Sequence, residues 1–237
     1  MRDDSKQRTD LSLARGKEKM YKIHQNAAKT YRVNESHILS LVRSRNEGKH
    51  KKGDKLDICL HDYLNKSDKF KSNYKGYKVA VNFEEQAVGI NPYFIGLWLG
   101  DGHNYSSRIT TEDDEVIQFL SGYADELNLQ LKAYEQKNRT TSYAITKGFR
   151  GQQNFYSIQG ELQKLGLIQN KHIPQKYLIN STLNRLSLLA GLIDSDGHYS
   201  EEFNVFEITQ KNKHLAEQIK FLCDTLGFKT SIKQKQA

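Results

Sequence analysis

Two carboxylates carry the chemistry that can be read from this chain. Asp101 stands next to last in Phe94-Ile95-Gly96-Leu97-Trp98-Leu99-Gly100-Asp101-Gly102, and Asp196 next to last in Leu189-Ala190-Gly191-Leu192-Ile193-Asp194-Ser195-Asp196-Gly197. The stretches align without a gap, sharing Gly-Leu in the middle and Asp-Gly at the end, and a domain's length of chain separates them, so an internal repeat is the first expectation. Carboxylate and carbonyl oxygens are the hard ligands that Mg²⁺ takes, and an incompletely filled shell leaves places for water and phosphate. Two such acids brought together point to metal-assisted hydrolysis of a phosphodiester.

The elements that must bring them together are two short helices. Asn91 and Pro92 precede the first stretch as N-cap and first helical residue, and Ser181 caps the second. Both interiors are apolar on nearly every side, as in buried helices. A glycine inside a helix costs roughly 1 kcal/mol relative to alanine, yet Gly96 and Gly100 lie four apart in one copy and Ser187 and Gly191 four apart in the other. The spacing predicts two helices crossing with their backbones nearly touching and their C-terminal ends side by side. A carboxylate there meets the negative end of the helix dipole, unfavourable by about 0.3–1 kcal/mol, which a cation relieves. Gly100 and Ser195 would add carbonyl ligands to Asp101 and Asp196.

Composition narrows the partners. Thirty-six Lys and Arg against 28 Asp and Glu leave a net charge of +8 over 237 residues, which suits a polyanion. The two cysteines, Cys59 and Cys223, stand in no metal-ligand spacing, which argues against a zinc site or a disulfide scaffold. With no long apolar run and no signal-peptide core at the N-terminus, the expectation is a soluble intracellular protein with no membrane partner.

The second stretch is one substitution, Ser195, away from the LAGLIDADG signature, and the first resembles the looser form found in the same proteins. The chain resembles a LAGLIDADG homing endonuclease of the two-repeat, single-chain kind. That resemblance implies an α+β fold of two αββαββα repeats packed through their signature helices, a monomer through pseudo-two-fold symmetry, double-stranded DNA as partner and Mg²⁺ as cofactor. Asn170-Lys171-His172-Ile173-Pro174 resembles the block that ends the first repeat and supplies a lysine near the scissile phosphate, so Lys171 joins Asp101 and Asp196 as a candidate catalytic residue.

The chain between the signatures reads in that order. A strand over His103–Thr110, a helix over Glu112–Leu127, a hairpin of Leu129–Lys137 and Thr141–Lys147 with its tip at Asn138-Arg139, and a helix over Gln159–Leu165 closed by Gly166 are predicted. In the family the strands form a concave saddle over the major groove. Arg108, Lys132, Lys137, Arg139, Lys147 and Arg150 are candidates for phosphate contacts, and Gln130, Gln136 and Asn138 for base contacts. After the second signature, two strands over His198–Thr209, a helix over Lys213–Leu226 and a strand over Lys229–Lys235 are expected. The second repeat is therefore expected to be incomplete, lacking a strand, its last helix and a counterpart of Lys171, with reduced stability and reduced or absent cleavage.

Ahead of the first signature the pattern is strand-like, with Tyr21 and Ile23, Tyr31 and Val33, and Ile38 to Val42, then strands at Lys55–Ile58 and Tyr77–Phe83 around a short helix at Leu60–Leu64. Tyr31-Arg32-Val33-Asn34-Glu35-Ser36-His37-Ile38-Leu39 resembles the histidine block of the intein splicing domain, the Hint fold, in which Asn34 and His37 would hold the polarising and histidine positions. No N-terminal Cys or Ser nucleophile precedes this block and no His-Asn pair closes the chain, so this polypeptide by itself is expected not to splice; a complementary intein or extein fragment is a candidate partner. The expected organisation is a partial splicing segment at 1–85, a first repeat at 86–175 and a truncated second repeat at 176–237. Two rival functions stay open: a non-catalytic, maturase-like binder of DNA or RNA, and a decayed intein fragment without activity.

Overall fold

Alternation of apolar and polar residues builds the N-terminal part. In the computed structural model, which describes residues 16–25, 28–147 and 156–234, β1 (Met20–Gln25) pairs antiparallel with β2 (Ala28–Asn34). Next, β3 (Ile38–Arg43) is flanked by β4 (Lys55–Cys59) and by the two-residue β5 (Tyr74–Lys75), with α1 (Leu60–Leu64) and α2 (Asp68–Asn73) between those two strands. Leu39 and Leu41 point inward and join Val33, Leu60 and Tyr74 in a small core, whereas Ile38 and Ser40 face water. The described residues of Met1–Ala80 and Gly227–Ala237 cluster into one unit, and Val81–Leu226 form another.

The second unit opens with α3 (Pro92–Asp101), followed by the short strand β6 (Ile109–Thr110) and by α4 (Asp114–Glu126). The hairpin of β7 (Gln130–Gln136) and β8 (Arg139–Thr146) turns at Asn138, whose φ of +59° is one that asparagine tolerates better than most residues. Strand order is β6-β8-β7, so β8 is the centre of a three-stranded antiparallel sheet. Then come α5 (Ile158–Lys164) and α6 (Gln175–Leu178). The signature helix α7 (Thr182–Asp196) leads directly into β9 (Gly197–Ser200), which pairs with β10 (Val205–Ile208), and α8 (Lys213–Thr225) follows.

Residues 92–165 and 182–226 follow one programme. Asp113 caps α4 by accepting from the backbone N–H groups of Glu115 and Val116 at 2.8 and 3.3 Å. Asn212 caps α8 in the same way, accepting from His214 and Leu215 at 3.0 and 3.3 Å. Val116, Leu120 and Tyr123 on α4 and their counterparts Leu215, Ile219 and Leu222 on α8 all enter one core. Each helix ends in a left-handed residue, Asn128 at φ +53° and Gly227 at φ +88°.

Three predicted strands are not formed as expected. Residues 103–108 make an irregular loop, and only Ile109–Thr110 are in the sheet. Residues 77–83 run without strand pairing; Val81 N–H donates to the Thr225 carbonyl at 2.8 Å. Residues 228–234, placed in the sequence where β7 stands in the first half, also form no strand.

A buried arginine ties the start of this unit to its last helix. Arg185 is fully buried on α7, with no carboxylate paired to it among the described residues; its guanidinium donates to the carbonyls of Asn180 and Val81 and to the hydroxyl of Thr225. Phe83 lies under it at 4.8 Å. All three guanidinium nitrogens donate, which makes burial of the charge tolerable.

Candidate active site

The two signature helices meet as parallel elements related by a local two-fold. A Cβ placed on Gly96 would fall on the Leu188 carbonyl and 2.8 Å from the Leu192 nitrogen. One placed on Gly191 would fall on the Tyr93 carbonyl, 2.8 Å from the Leu97 nitrogen and 3.1 Å from the Gly96 α-carbon. These contacts repeat position for position between the helices. The pairing of small residues differs in one respect from the expected one: the partners of Gly96 and Gly100 are Gly191 and Ser195, whereas Ser187 sits a turn too early to enter the contact. The Ser195 hydroxyl turns back along its own helix and donates to the Gly191 carbonyl at 2.8 Å, which flattens the side chain against α7 and makes room for Gly100.

This crossing delivers the acids to one place. A Cβ on Gly100 would lie 3.2 Å from the Asp196 carboxyl carbon, so the end of α3 rests against the side chain that closes α7. Lost hydration pushes the Asp101 carboxyl above its ordinary pKa, and the neighbouring Asp196 pushes it further, with Lys171 acting against both. Asp196 is raised for the same first reason, again opposed by Lys171. Gln210, from the loop between β10 and α8, reaches the Asp196 carboxylate at 3.5 Å, at the long limit for a hydrogen bond.

Lys171 is brought in with the pair. Its ammonium donates to the Gly100 carbonyl at 2.9 Å and lies 5.2 Å from the Trp98 ring centroid. Burial lowers its pKa, and Asp196 and Asp101 hold it up. The segment carrying it is fastened to α8: Gln218 accepts from the Ile173 N–H at 2.8 Å and donates to the Ile173 carbonyl at 2.9 Å, and Asn212 donates to the Lys171 carbonyl at 3.1 Å. The Gly100 carbonyl, expected as a cation ligand, is thus the acceptor of the Lys171 ammonium, because the lysine is the nearest positive charge to the joined helix ends.

The donor chemistry fits a hard divalent cation. Among the described residues no three His, Cys, Asp or Glu side chains gather into a metal cluster, so a cation here would rest on the two carboxylates and on carbonyl oxygens left without helical partners at the ends of α3 and α7. Carboxylates held above their ordinary pKa by burial and by each other are under-compensated in the protein alone, and a cation supplies the missing charge.

The sheet face beside this pair carries part of the expected basic set. Antiparallel register places Gln130, Lys132 and Tyr134 of β7 opposite Thr146, Ala144 and Ser142 of β8, and Ser142 opposite Thr110 of β6. Those residues share the face turned away from Leu131, Ile145 and Ile109, which pack in the core. Arg108 stacks over the Tyr134 ring at 3.7 Å, and Lys132 approaches the same ring at 5.2 Å. Lys137, Asn138 and Arg139 are exposed around the hairpin turn, Lys147 is half-buried past the end of β8, and the predicted contact Arg150 lies outside the described residues.

Sequence reasoning missed three participants. His103 follows the first Asp-Gly and shares a triangle with the hydroxyls of Thr110 and Ser142, at 2.9 and 3.2 Å. Burial lowers its pKa, and Arg108 and Lys171 lower it further. Asp-Gly-His recurs at Asp196-Gly197-His198, and that repetition was the available signal. Tyr134 and Gln210 left none, since their value lies in register and loop path.

In the N-terminal unit, Asn34 donates to Glu18 at 2.6 Å and to the Ser36 hydroxyl at 2.9 Å. His37 is exposed; its N–H donates to the Asn34 carbonyl at 3.2 Å and its carbonyl accepts from Leu60 at 2.8 Å. The two residues of the block are therefore neighbours in one turn, with the Asn34 amide engaged by Glu18.

Residues 184–237 match the sequence profile of a LAGLIDADG-like domain. The chain is 30% identical over 158 residues to the replicative DNA helicase DnaB of Mycobacterium intracellulare, covering 66% of this chain and 22% of that protein. It is 26% identical over 167 residues to the ATP-dependent DNA helicase Hel308 of Thermococcus kodakarensis, covering 64% of this chain and 14% of that protein. It is 23% identical over 192 residues to the DNA-directed RNA polymerase subunit Rpo1C of Methanocaldococcus jannaschii, covering 72% of this chain and 22% of that protein. The chain spans less than a quarter of each of these curated relatives. A solved structure of mesophilic variants of the homing endonuclease I-DmoI is 19% identical, with a TM-score of 0.41 over 59% of this chain and 77% of that chain. Among the described residues no helix is long and apolar enough to cross a membrane.

Proposed function

We propose that this chain is a divalent-metal-dependent homing endonuclease of the LAGLIDADG type, of intein origin, that hydrolyses phosphodiester bonds of double-stranded DNA. The observation that carries the reading is the meeting of Asp101, Asp196 and Lys171 at the joined ends of α3 and α7. A structural crossing alone has no use for two neighbouring acids at the ends of its helices, both raised in pKa by lost hydration, which cost stability.

Asp101 and Asp196 would hold the cation, which when bound supplies a Lewis acid and water of lowered pKa. The Lys171 ammonium, held at the Gly100 carbonyl, offers positive charge to a phosphate seated at the helix ends, where charge builds in the transition state. Gln210 orients Asp196. Arg108 and Lys132, braced on Tyr134, hold the backbone of DNA lying along the sheet face and set its register.

Intein origin is supported by how the relatives are shared. Two helicases and a polymerase subunit do different work, yet each matches this chain over only 14–22% of its own length. A segment inserted into unrelated hosts accounts for that pattern, and host chemistry does not. The Asn34–His37 turn beside a β-rich unit agrees with a partial splicing domain at the N-terminal end.

The test is cleavage of a supercoiled plasmid pool carrying randomised sites, with Mg²⁺ or with chelator. Nicked or linear product in Mg²⁺ that disappears in chelator and in D101N and D196N proteins is the expected result. Equal product from those variants would remove the assignment. Salt-sensitive DNA binding without product in Mg²⁺ or Mn²⁺ would establish the rival reading of a non-catalytic binder.

A further inference from the structure

The connection from β3 to β4, residues 44–54, reads Ser-Arg-Asn-Glu-Gly-Lys-His-Lys-Lys-Gly-Asp, with four Lys or Arg, two acids and no apolar side chain. It is a braced turn. Glu47 and His50 exchange backbone hydrogen bonds at 3.0 and 3.1 Å around Gly48, whose φ is +57°. The Lys52 N–H donates to the Asn46 side-chain carbonyl at 2.7 Å, and the Gly53 N–H, at a φ of +96°, donates to the Arg43 carbonyl at 2.9 Å.

Both acids of the turn are engaged in that bracing. Glu47 accepts from the buried Arg43 guanidinium and from the Asn73 amide, each at 2.9 Å, and its other oxygen lies 2.5 Å from the Lys69 ammonium. Asp54 accepts from the Lys51 N–H at 2.7 Å. The cations are treated in the opposite way: Arg45, Lys49, Lys51 and Lys52 are exposed, and among the described residues none of them is paired with a carboxylate. Like charges carried on a turn that cannot splay repel one another, and a polyanion relieves the repulsion while releasing its own counterions. Stable binding to a lipid surface takes apolar side chains beside the cations, and an acidic protein partner takes an apolar centre to the interface. Residues 44–54 supply neither. A phosphate backbone asks for charge alone.

We propose that the turn from Arg45 to Lys52 is a phosphate-backbone contact for double-stranded DNA, carried by the unit that holds neither signature aspartate. It grips the duplex without reading its sequence, because ammonium and guanidinium groups on phosphates carry no base information. The bracing by Glu47 and Asp54 keeps the cations presented before DNA arrives, so little ordering is needed on binding. The proposal takes its ligand from the proposed function and is independent of cleavage.

The full chain is titrated in chelator against a random-sequence duplex of about 30 base pairs, over a series of salt concentrations. K49Q/K51Q/K52Q should bind about tenfold or more weakly at about 0.1 M salt and reduce the slope of log affinity against log salt by about two to three, as for three lost phosphate contacts. A charge-matched control in the same unit, K17Q/K19Q/K22Q, should change both far less. In the unmodified chain, Lys49, Lys51 and Lys52 should lose most of their reactivity toward an acetylating reagent when the duplex is saturating. Equal losses in the two triple variants, or three lysines that stay reactive under saturating duplex, would overturn the proposal. So would protection of those lysines by phosphatidylserine vesicles and not by DNA, which identifies a membrane surface. A wild-type chain that binds no duplex at any salt would take down the proposed function as well, whereas DNA binding with an unprotected turn would take down this proposal alone.

Discussion

The half from α3 to α5 and the half from α7 to α8 start alike and finish apart. Both have a capped signature helix, a backbone pairing from the glycine after the aspartate to an isoleucine, a single bridge in the first half and part of a strand pair in the second, and a thirteen-residue helix with the same apolar stripe. Past that helix, the first chain segment becomes β7 because β8 is there to pair with it, and α5 seals the sheet with the fully buried Ile158 and Leu162. The second segment, residues 228–234, follows an equivalent junction and forms no strand. Helices satisfy their backbone internally and are fixed by local sequence; a strand exists only where another strand accepts its hydrogen bonds.

The largest effect that can break this comparison is at the crossing. Gly96→Leu and Gly191→Leu should each lower unfolding free energy by about 3 kcal/mol or more, since the new side chain meets backbone that cannot yield. Denaturant titration measures this, and a large gap between the two variants would show that the local two-fold is only approximate in energy. Lys171→Met should lower cleavage about a hundredfold with DNA affinity little changed, as for loss of one transition-state charge donor; single-turnover kinetics beside a binding isotherm separates the two.

A contrast in grip comes next. Arg108→Ala should weaken DNA binding about tenfold and reduce the salt slope by about one. Glu207 holds the position equivalent to Arg108 in β10, and Glu207→Arg should strengthen binding and steepen the slope. If both variants shift affinity the same way, the sheet faces are not equivalent. Removing the caps by Asp113→Ala or Asn212→Ala should cost about 1 kcal/mol each, but only the second should also slow cleavage, because Asn212 holds the Lys171 carbonyl.

The smallest effect concerns charge. The carboxyls of Asp101 and Asp196 have folded pKa values raised above their unfolded ones, so the fold favours their protonated forms and ionisation works against it. Asp101→Asn or Asp196→Asn should therefore raise the melting temperature slightly at neutral pH in chelator. The gain should shrink as pH falls through the raised range, where the wild-type acids take up protons.

Much of this was legible in advance because helices announce themselves. Asn91-Pro92, Ser181, Asp113 and Asn212 mark starts; Gly166 and Gly227 mark ends, and the periodic Leu, Ile and Val positions mark the buried side. The glycine spacing foretold the crossing, though the true partner of Gly100 is Ser195, whose hydroxyl can fold back on its helix in a way that no spacing rule records. Illegible were the features that depend on a distant neighbour. Residues 77–83 and 229–234 have strand-like sequences and, among the described residues, no strand to join. The Gly100 carbonyl accepts from Lys171, whose ammonium arrives along a path set by Gln218 on another helix.

That anchorage ties the fates of the two halves. Lys171 belongs by order of synthesis to the leading half, yet what holds it in place, through Ile173 and its own carbonyl, is α8 of the trailing half. A ribosome that has finished only the first repeat has made all the charged groups of that half but not the bracket that aims one of them. Mutational wear in either half is therefore felt at a single shared spot, and separating the gene between the repeats would yield two products that must meet again before either is complete.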